Sequence, residues 1–251
     1  MKKTLTSLLV GAACVAASIV QAAVPTGNLQ SFTTQPLAAD WSFLNVPGAG
    51  NTFALTADLD IAANTNDVAI ITNRVIVAAG AAPGTSASAQ WSQAGQYLVT
   101  RPTGNAYTIL MARIQNTGAA INGAIPVSYD LGTPTVVANS EDPDIGGHHA
   151  YFSFTGLPGS WTPVPELTQV TPVAGGISAS IDFGSWAAGA MMYLMWIDDN
   201  GGPAGDGSYS IDNFIIGSVP PPPIILTQPV GATNLVGRTV SLTVVADGSG
   251  L

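Results

Sequence analysis

Apolar residues recur at every second position along this chain, in short runs cut off by turn residues, and that period belongs to strands. In 51–61, Phe53, Leu55, Ala57, Leu59 and Ile61 alternate with Thr52, Ala54, Thr56, Asp58 and Asp60. Ile177, Ala179, Ile181 and Phe183 alternate in the same way with Ser178, Ser180 and Asp182. Each pattern gives a strand one apolar and one polar face. The runs 107–114 and 191–197 are apolar on both faces and too short for surface helices, which predicts central strands. Turn residues stand between the runs: Pro47 and Gly48, Pro83 and Gly84, Asn122 and Gly123, Pro158 and Gly159, Asn200 to Gly202. No segment carries a helical stripe with caps. The expected fold class is all-β, an antiparallel β-sandwich.

The N-terminus predicts an address. Lys2 and Lys3 precede an apolar stretch over 5–20, and Val20 and Ala22 place small residues where a signal peptidase reads. Residues 1–22 are therefore expected to be a signal peptide, cleaved after Ala22 in Sec-type export to the cell surface or medium. The stretch is too short for a membrane anchor, so no membrane insertion is expected after cleavage. Cys14 could mark a lipoprotein signal, but Gly11 stands where such signals usually have Leu. Cys14 is the only cysteine, so the mature chain would have no disulfide, thiol chemistry or cysteine-ligated metal. Both lysines leave with the signal. Four arginines then face fifteen acidic residues, a formal charge of −11. Such a surface disfavours nucleic acid and anionic membrane and suits cations or neutral sugars.

A second boundary lies in 218–223, where Pro220 to Pro223 form a stiff Pro-rich linker. The expected organisation is a sandwich domain over 23–217, then the truncated start of a second β domain over 224–251. In that second part Val240, Leu242, Val244 and Ala246 alternate with Thr239, Ser241 and Thr243. The chain is expected to be the front of a larger multidomain protein.

Three stretches carry a family resemblance. Arg113 to Gly118, with Val127, Ser128, Tyr129 and Asp130, resembles an N-T-G … V-S-Y-D strand pair. Tyr151, Phe152 and Ser153, with Trp161 to Val164, resemble the Y-F-S … W-T-P-V step that follows it. Trp196 to Asn200, with Ile211 to Phe214, resembles a closing W-x-D-D-N … I-D-N-F hairpin. Together they are similar to a jelly-roll-like (concanavalin-like) N-terminal module of large secreted bacterial proteins. Residues 225–229, with Gly237 and 240–242, look like the opening of a bacterial immunoglobulin-like repeat. The resemblance implies architecture and location. Such proteins continue with further repeats, lamin-tail modules or a hydrolase domain.

Two constellations are candidate sites. Asp198, Asp199, Asn200, Asp206, Asp212 and Asn213 lie within sixteen residues around a Gly-rich loop, and calcium takes six to eight such oxygens. The spacing is not that of a helix–loop–helix calcium site, and the same residues also serve as turn caps. Trp41, Trp91 and Trp161 are flanked by polar residues and are the candidates for stacking on sugar rings, with core packing as the alternative. A third cluster, Glu141, Asp142, Asp144, His148 and His149, reads as a polar loop, because consecutive strand residues cannot both reach one ion. No G-x-S-x-G, H-E-x-x-H or phosphate loop occurs. No cofactor is required by these residues beyond a candidate calcium. The expected function is a non-catalytic extracellular module for adhesion or glycan contact. The alternative is an accessory domain of a secreted hydrolase whose catalytic part lies beyond Leu251.

Overall fold

In the computed structural model the two all-apolar runs become neighbouring interior strands of one sheet. The structure describes residues 23–49, 52–72, 74, 76–79, 89–136, 145–201, 206–217, 224–227 and 244–247. The expected signal segment, the Pro-rich linker, and Glu141, Asp142 and Asp144 lie outside these residues, as does most of the run from Val240.

The first sheet holds β1 (Val24–Pro25), β2 (Trp41–Val46), β6 (Tyr107–Gln115), β9 (His148–Ser153), β10 (Thr162–Pro163) and β13 (Met191–Asp199). Its order is β1, β6, β13, β9, β10, with β2 also paired to β6. The second holds β3 (Val77–Ala79), β4 (Gln90–Ser92), β5 (Tyr97–Thr100), β8 (Ile125–Thr135), β11 (Gly175–Ile181) and β14 (Ser208–Ile216), in the order β11, β8, β14, β5, β4, β3. Short pairs complete the set: β7 (Ile121–Asn122) with β12 (Ser185–Trp186), and β15 (Ile224–Thr227) with β16 (Val245–Asp247). Pairing is antiparallel except for β1 on β6 and β3 on β4. This is the all-β sandwich that the period-two pattern requires.

The sheets meet over a shared core. Trp41, Leu110, Ala112, Leu194 and Trp196 come from the first sheet, and Val127, Tyr129, Ile211 and Phe214 from the second. Trp41 stacks on Trp196 with centroids 6.0 Å apart, and Phe214 meets both edge-on at 5.3 and 5.6 Å. Aromatic burial of this kind supplies much of the apolar area that holds two sheets together.

Three expectations need correction. The alternating run at 51–61 is not a strand: α1 (Thr56–Ala63) occupies it, followed by α2 (Val68–Ile71). Leu59 and Ala63, four apart, are the residues of α1 that go down, while Ile61 is 68% exposed. The alternation there was a coincidence of small residues, and tertiary contact decided the outcome. The outer face of the first sheet presents Ile109, Met111, Met195 and Ile197, which need a cover that a helix supplies. The pair is tied to the loop after β9, since Val68 N–H donates to Gly156 O at 2.8 Å and Gly159 N–H to Asn64 O at 2.8 Å. Gly156, at φ +68°, has Val68 so close that a Cβ would overlap it.

The other two corrections concern pairing. β13 and β14 lie in opposite sheets, so the segment that reads as a closing hairpin is a crossing from one sheet to the other. β6 and β8 are likewise in different sheets.

Candidate functional site

Alternation along β8, β14 and β5 sends Tyr129, Leu131, Tyr209, Ile211 and Leu98 into the core and Asp130, Gly132, Ser210, Asp212 and Tyr97 outward. The ladder then aligns the outward set. Asp212 lies opposite Asp130, and Ser210 opposite Gly132 and Val99. Tyr97 follows on from the Leu98–Ile211 pair. These residues, with Thr133, Pro134 and Ala174, line an open depression of about 380 Å³ on the outer face of the second sheet.

Each side chain is held locally. The tight turn before β5 puts Gln96 at φ +57° and lets Gly95 N–H donate to Ser92 Oγ at 3.0 Å. The Tyr97 ring then lies over Gly95, where a Cβ would collide with it. A register shift in β14 after Asp212 marks a bulge, with Asn213 in the left-handed region at φ +49°. The bulge turns the Asn213 amide outward, where Nδ2 donates to Asp130 Oδ2 at 2.8 Å and the backbone N–H donates to Asp212 Oδ1 at 2.7 Å. Partial burial, then the neighbouring Asp130 carboxylate, raises the pKa of Asp212, while the Asn213 N–H bond opposes the rise. The floor is bare because Gly132 sits beneath Ser210, whose Oγ a Cβ would overlap.

Chemically this is an anionic, shallow surface with one aromatic wall. Two carboxylates and an amide can bond vicinal hydroxyls, and a phenol ring can pack on an apolar C–H face. Phosphates and sulfates are repelled.

The residues singled out from sequence lie elsewhere. Trp41, Trp91 and Trp161 are all buried. Trp91 Nε1 donates to Phe32 O at 2.8 Å and Trp161 Nε1 to Asn66 O at 2.9 Å, so both indoles serve the core with their polar atoms satisfied. They offer no stacking platform, and the polar neighbours Ser42, Gln90 and Ser92 that suggested exposure are buried as well.

The expected calcium set is divided. Asp198 and Asp199 are consecutive on β13 and so face opposite sides: Asp198 toward the second sheet, in register with Thr108 and His148, and Asp199 toward Tyr151 on the helix-covered side. Asn200 closes the strand end, donating from Nδ2 to Asn105 O at 2.6 Å. Asp206 accepts from Thr103 Oγ1 at 2.8 Å, and burial raises its pKa. Asp212 is on the outer face just described. Asn200 and Asp206 thus both bond the 102–105 turn, while Asp212 stands apart on the outer face of the second sheet. Among the described residues no group of three or more His, Cys, Asp or Glu side chains is arranged to hold a metal.

His148 and His149 open β9 instead of sitting in a loop, and both are buried. Their rings face opposite ways. His148 lies 2.7 Å from Thr100 Oγ1 in the interior, and His149 lies 2.9 Å from Ile145 O. Burial lowers the pKa of both, that of His148 to about 3, so both are neutral at ordinary pH.

Tyr97 and Asp130 were not singled out from the sequence. Asp130 entered the sequence reading only as the last residue of the V-S-Y-D run. No family model and no curated protein matches the chain. Among the described residues no helix is long and apolar enough to cross a membrane.

Proposed function

We propose that this chain is the sandwich module of an exported multidomain protein, displayed at the cell surface or released, and that it contacts neutral glycans. The depression walled by Tyr97 and floored by Gly132, with Asp130 and Asp212 paired across β8 and β14, carries this reading. A flat sheet face made of Gly, Ser and Asp residues beside one ring offers what a sugar uses: hydroxyl acceptors and an apolar plate. The acidic composition and the leader-like N-terminus agree with that setting. The run after residue 224, with its immunoglobulin-like opening, fits a spacer that holds the module away from the surface.

A glycan array with the chain lacking residues 1–22, in the presence and absence of calcium, tests the reading. Binding to a neutral glycan class is expected, lost by at least tenfold in Tyr97→Ala and in Asp130→Ala. Both residues are on the surface, so each variant should keep its melting temperature. No binding on the array, or binding untouched by both changes, sinks the proposal. A glycan that is cleaved instead of held would favour the second class, part of a secreted hydrolase.

A further inference from the structure

The open edges of the two main sheets are protected in all but one place. β1 and β10 are two residues long and each carries a proline, β3 has three residues, and α2 lies against β2. β11 is different. It ends the second sheet, pairs with β8 over seven consecutive residues without a bulge, and contains no proline or charged residue. Among the described residues no hydrogen bond reaches its free side. Gly175, Gly176, Ser178 and Ser180 are exposed, and Ile177 and Ala179 are only half-buried against the core. Val173, just before the strand, is 72% exposed. Unpaired backbone donors and acceptors along such an edge are a template for another strand.

We propose that β11 pairs with β11 of a second copy of this chain, antiparallel, about a two-fold axis at Ser178. The strand is its own complement in that register. A two-fold axis normal to the sheet sets each residue opposite one of the same parity, so core-facing side chains meet core-facing ones. Ile177 then lies opposite Ala179 of the second copy, and Ile181 opposite its Gly175, a large residue against a small one each time. On the outer side Ser178 meets Ser178 and Ser180 meets Gly176. Asp182, the first carboxylate after the strand, falls opposite Ala174, so like charges do not face each other in the ladder although each copy is acidic. Moving the axis to Ile177 or Ala179 shortens the pairing.

Paired strands of this length bury less than about 1,200 Å² in total, the size of transient interfaces, so the dimer forms where the local concentration is high. The second sheet then runs on unbroken from one copy into the next. Its two outer depressions face the same way, with Asp130 and its mate about 20 Å apart, three strand spacings across and four residues along. The association itself does not depend on what the depression binds.

The chain lacking residues 1–22 has no cysteine, so a single introduced thiol reports the register. Ser178→Cys places two thiols at the axis with Cβ atoms about 5 Å apart, within reach of a disulfide, whereas Ser180→Cys separates them by about 14 Å. Both positions are exposed, so neither change should disturb the fold. Under mild oxidation by copper–phenanthroline, the Ser178→Cys chain should cross-link about tenfold faster, or more, than the Ser180→Cys chain. Sedimentation equilibrium of the chain lacking residues 1–22, from about 10 µM to about 1 mM in about 0.5 M salt to screen the acidic surfaces, should show the mass rising toward twice the monomer. Ser178→Lys, which sets two like charges face to face, should weaken association about tenfold or more. A monomer throughout that range overturns the proposal, as does a dimer that ignores Ser178→Lys or cross-links equally from both positions.

Discussion

Alkaline pH offers a measurement in which one buried phenol can be isolated. Tyr129 is buried on β8, its hydroxyl donates to Leu167 O at 3.0 Å, and its ring meets Trp196 edge-on at 5.6 Å. Burial pushes its pKa up to about 12, against an ordinary value of 10.0. A raised folded-state pKa means that the contribution of this group is intact below pH 10 and is lost as pH climbs toward 12. The loss is about 1.4 kcal/mol per pH unit, since the unfolded chain releases the proton first. Tyr129→Phe removes a hydrogen bond worth about 1 kcal/mol at pH 8. It also removes the alkaline penalty, which reaches about 1.4 kcal/mol at pH 11. The two stability curves should therefore start about 1 kcal/mol apart with wild type higher, converge, and cross near pH 11. Tyr107 and Tyr151 also have raised pKa values through burial, but both proteins contain them and their effect cancels in the difference. Urea unfolding followed by tryptophan fluorescence at pH 8, 9, 10 and 11 reads the gap directly. A gap that stays constant over this range would falsify the claim that Tyr129 keeps its proton in the fold.

Three further changes test other parts of the structure. Leu59→Ala empties a buried position of α1 and should cost about 2–5 kcal/mol, with amide exchange over 52–72 rising more than in the sheets. Gly132→Ala forces a methyl against Ser210 Oγ and should lower stability by about 1–3 kcal/mol, and the double change with Ser210→Ala should recover most of that by thermal melting. Asp67 caps α2, its Oδ1 accepting from Ala69 N–H at 2.8 Å, so Asp67→Ala should cost about 1 kcal/mol in chemical denaturation.

Much of the sandwich was legible because burial on two faces leaves an unmistakable trace: β6 and β13 read directly as central strands, and Ile177, Ala179 and Ile181 of β11 point into the core as their alternation requires. What failed was partnership. Nothing local in Asp198 to Phe214 reveals that the chain changes sheets between the two halves, and so the stretch read as one hairpin. The helix at 56–63 was hidden for a different reason. Its apolar face is narrow, its N-cap residue Leu55 makes no side-chain cap bond, and its position is fixed by the apolar outer face of the first sheet. The depression on the second sheet was missed because Tyr97 and Asp130 are thirty-three residues apart and meet only through β14. His148 and His149 read as part of a polar loop because the acidic residues before them dominate the local composition, whereas both are buried at the start of β9.

The parity of Asp198 and Asp199 bears on how β13 finds its place. A strand that is oily on both sides has nothing in its hydrophobic pattern to distinguish one alignment from the next. Sliding β13 by one residue would still bury Met192 to Ile197, but it would turn the carboxylate of Asp198 away from Thr108 and His148 and onto the helix-covered face, opposite Tyr107 or Ile109 of β6. The two terminal aspartates thus act as a frame mark, and replacing both by valine would leave a strand free to settle in more than one alignment.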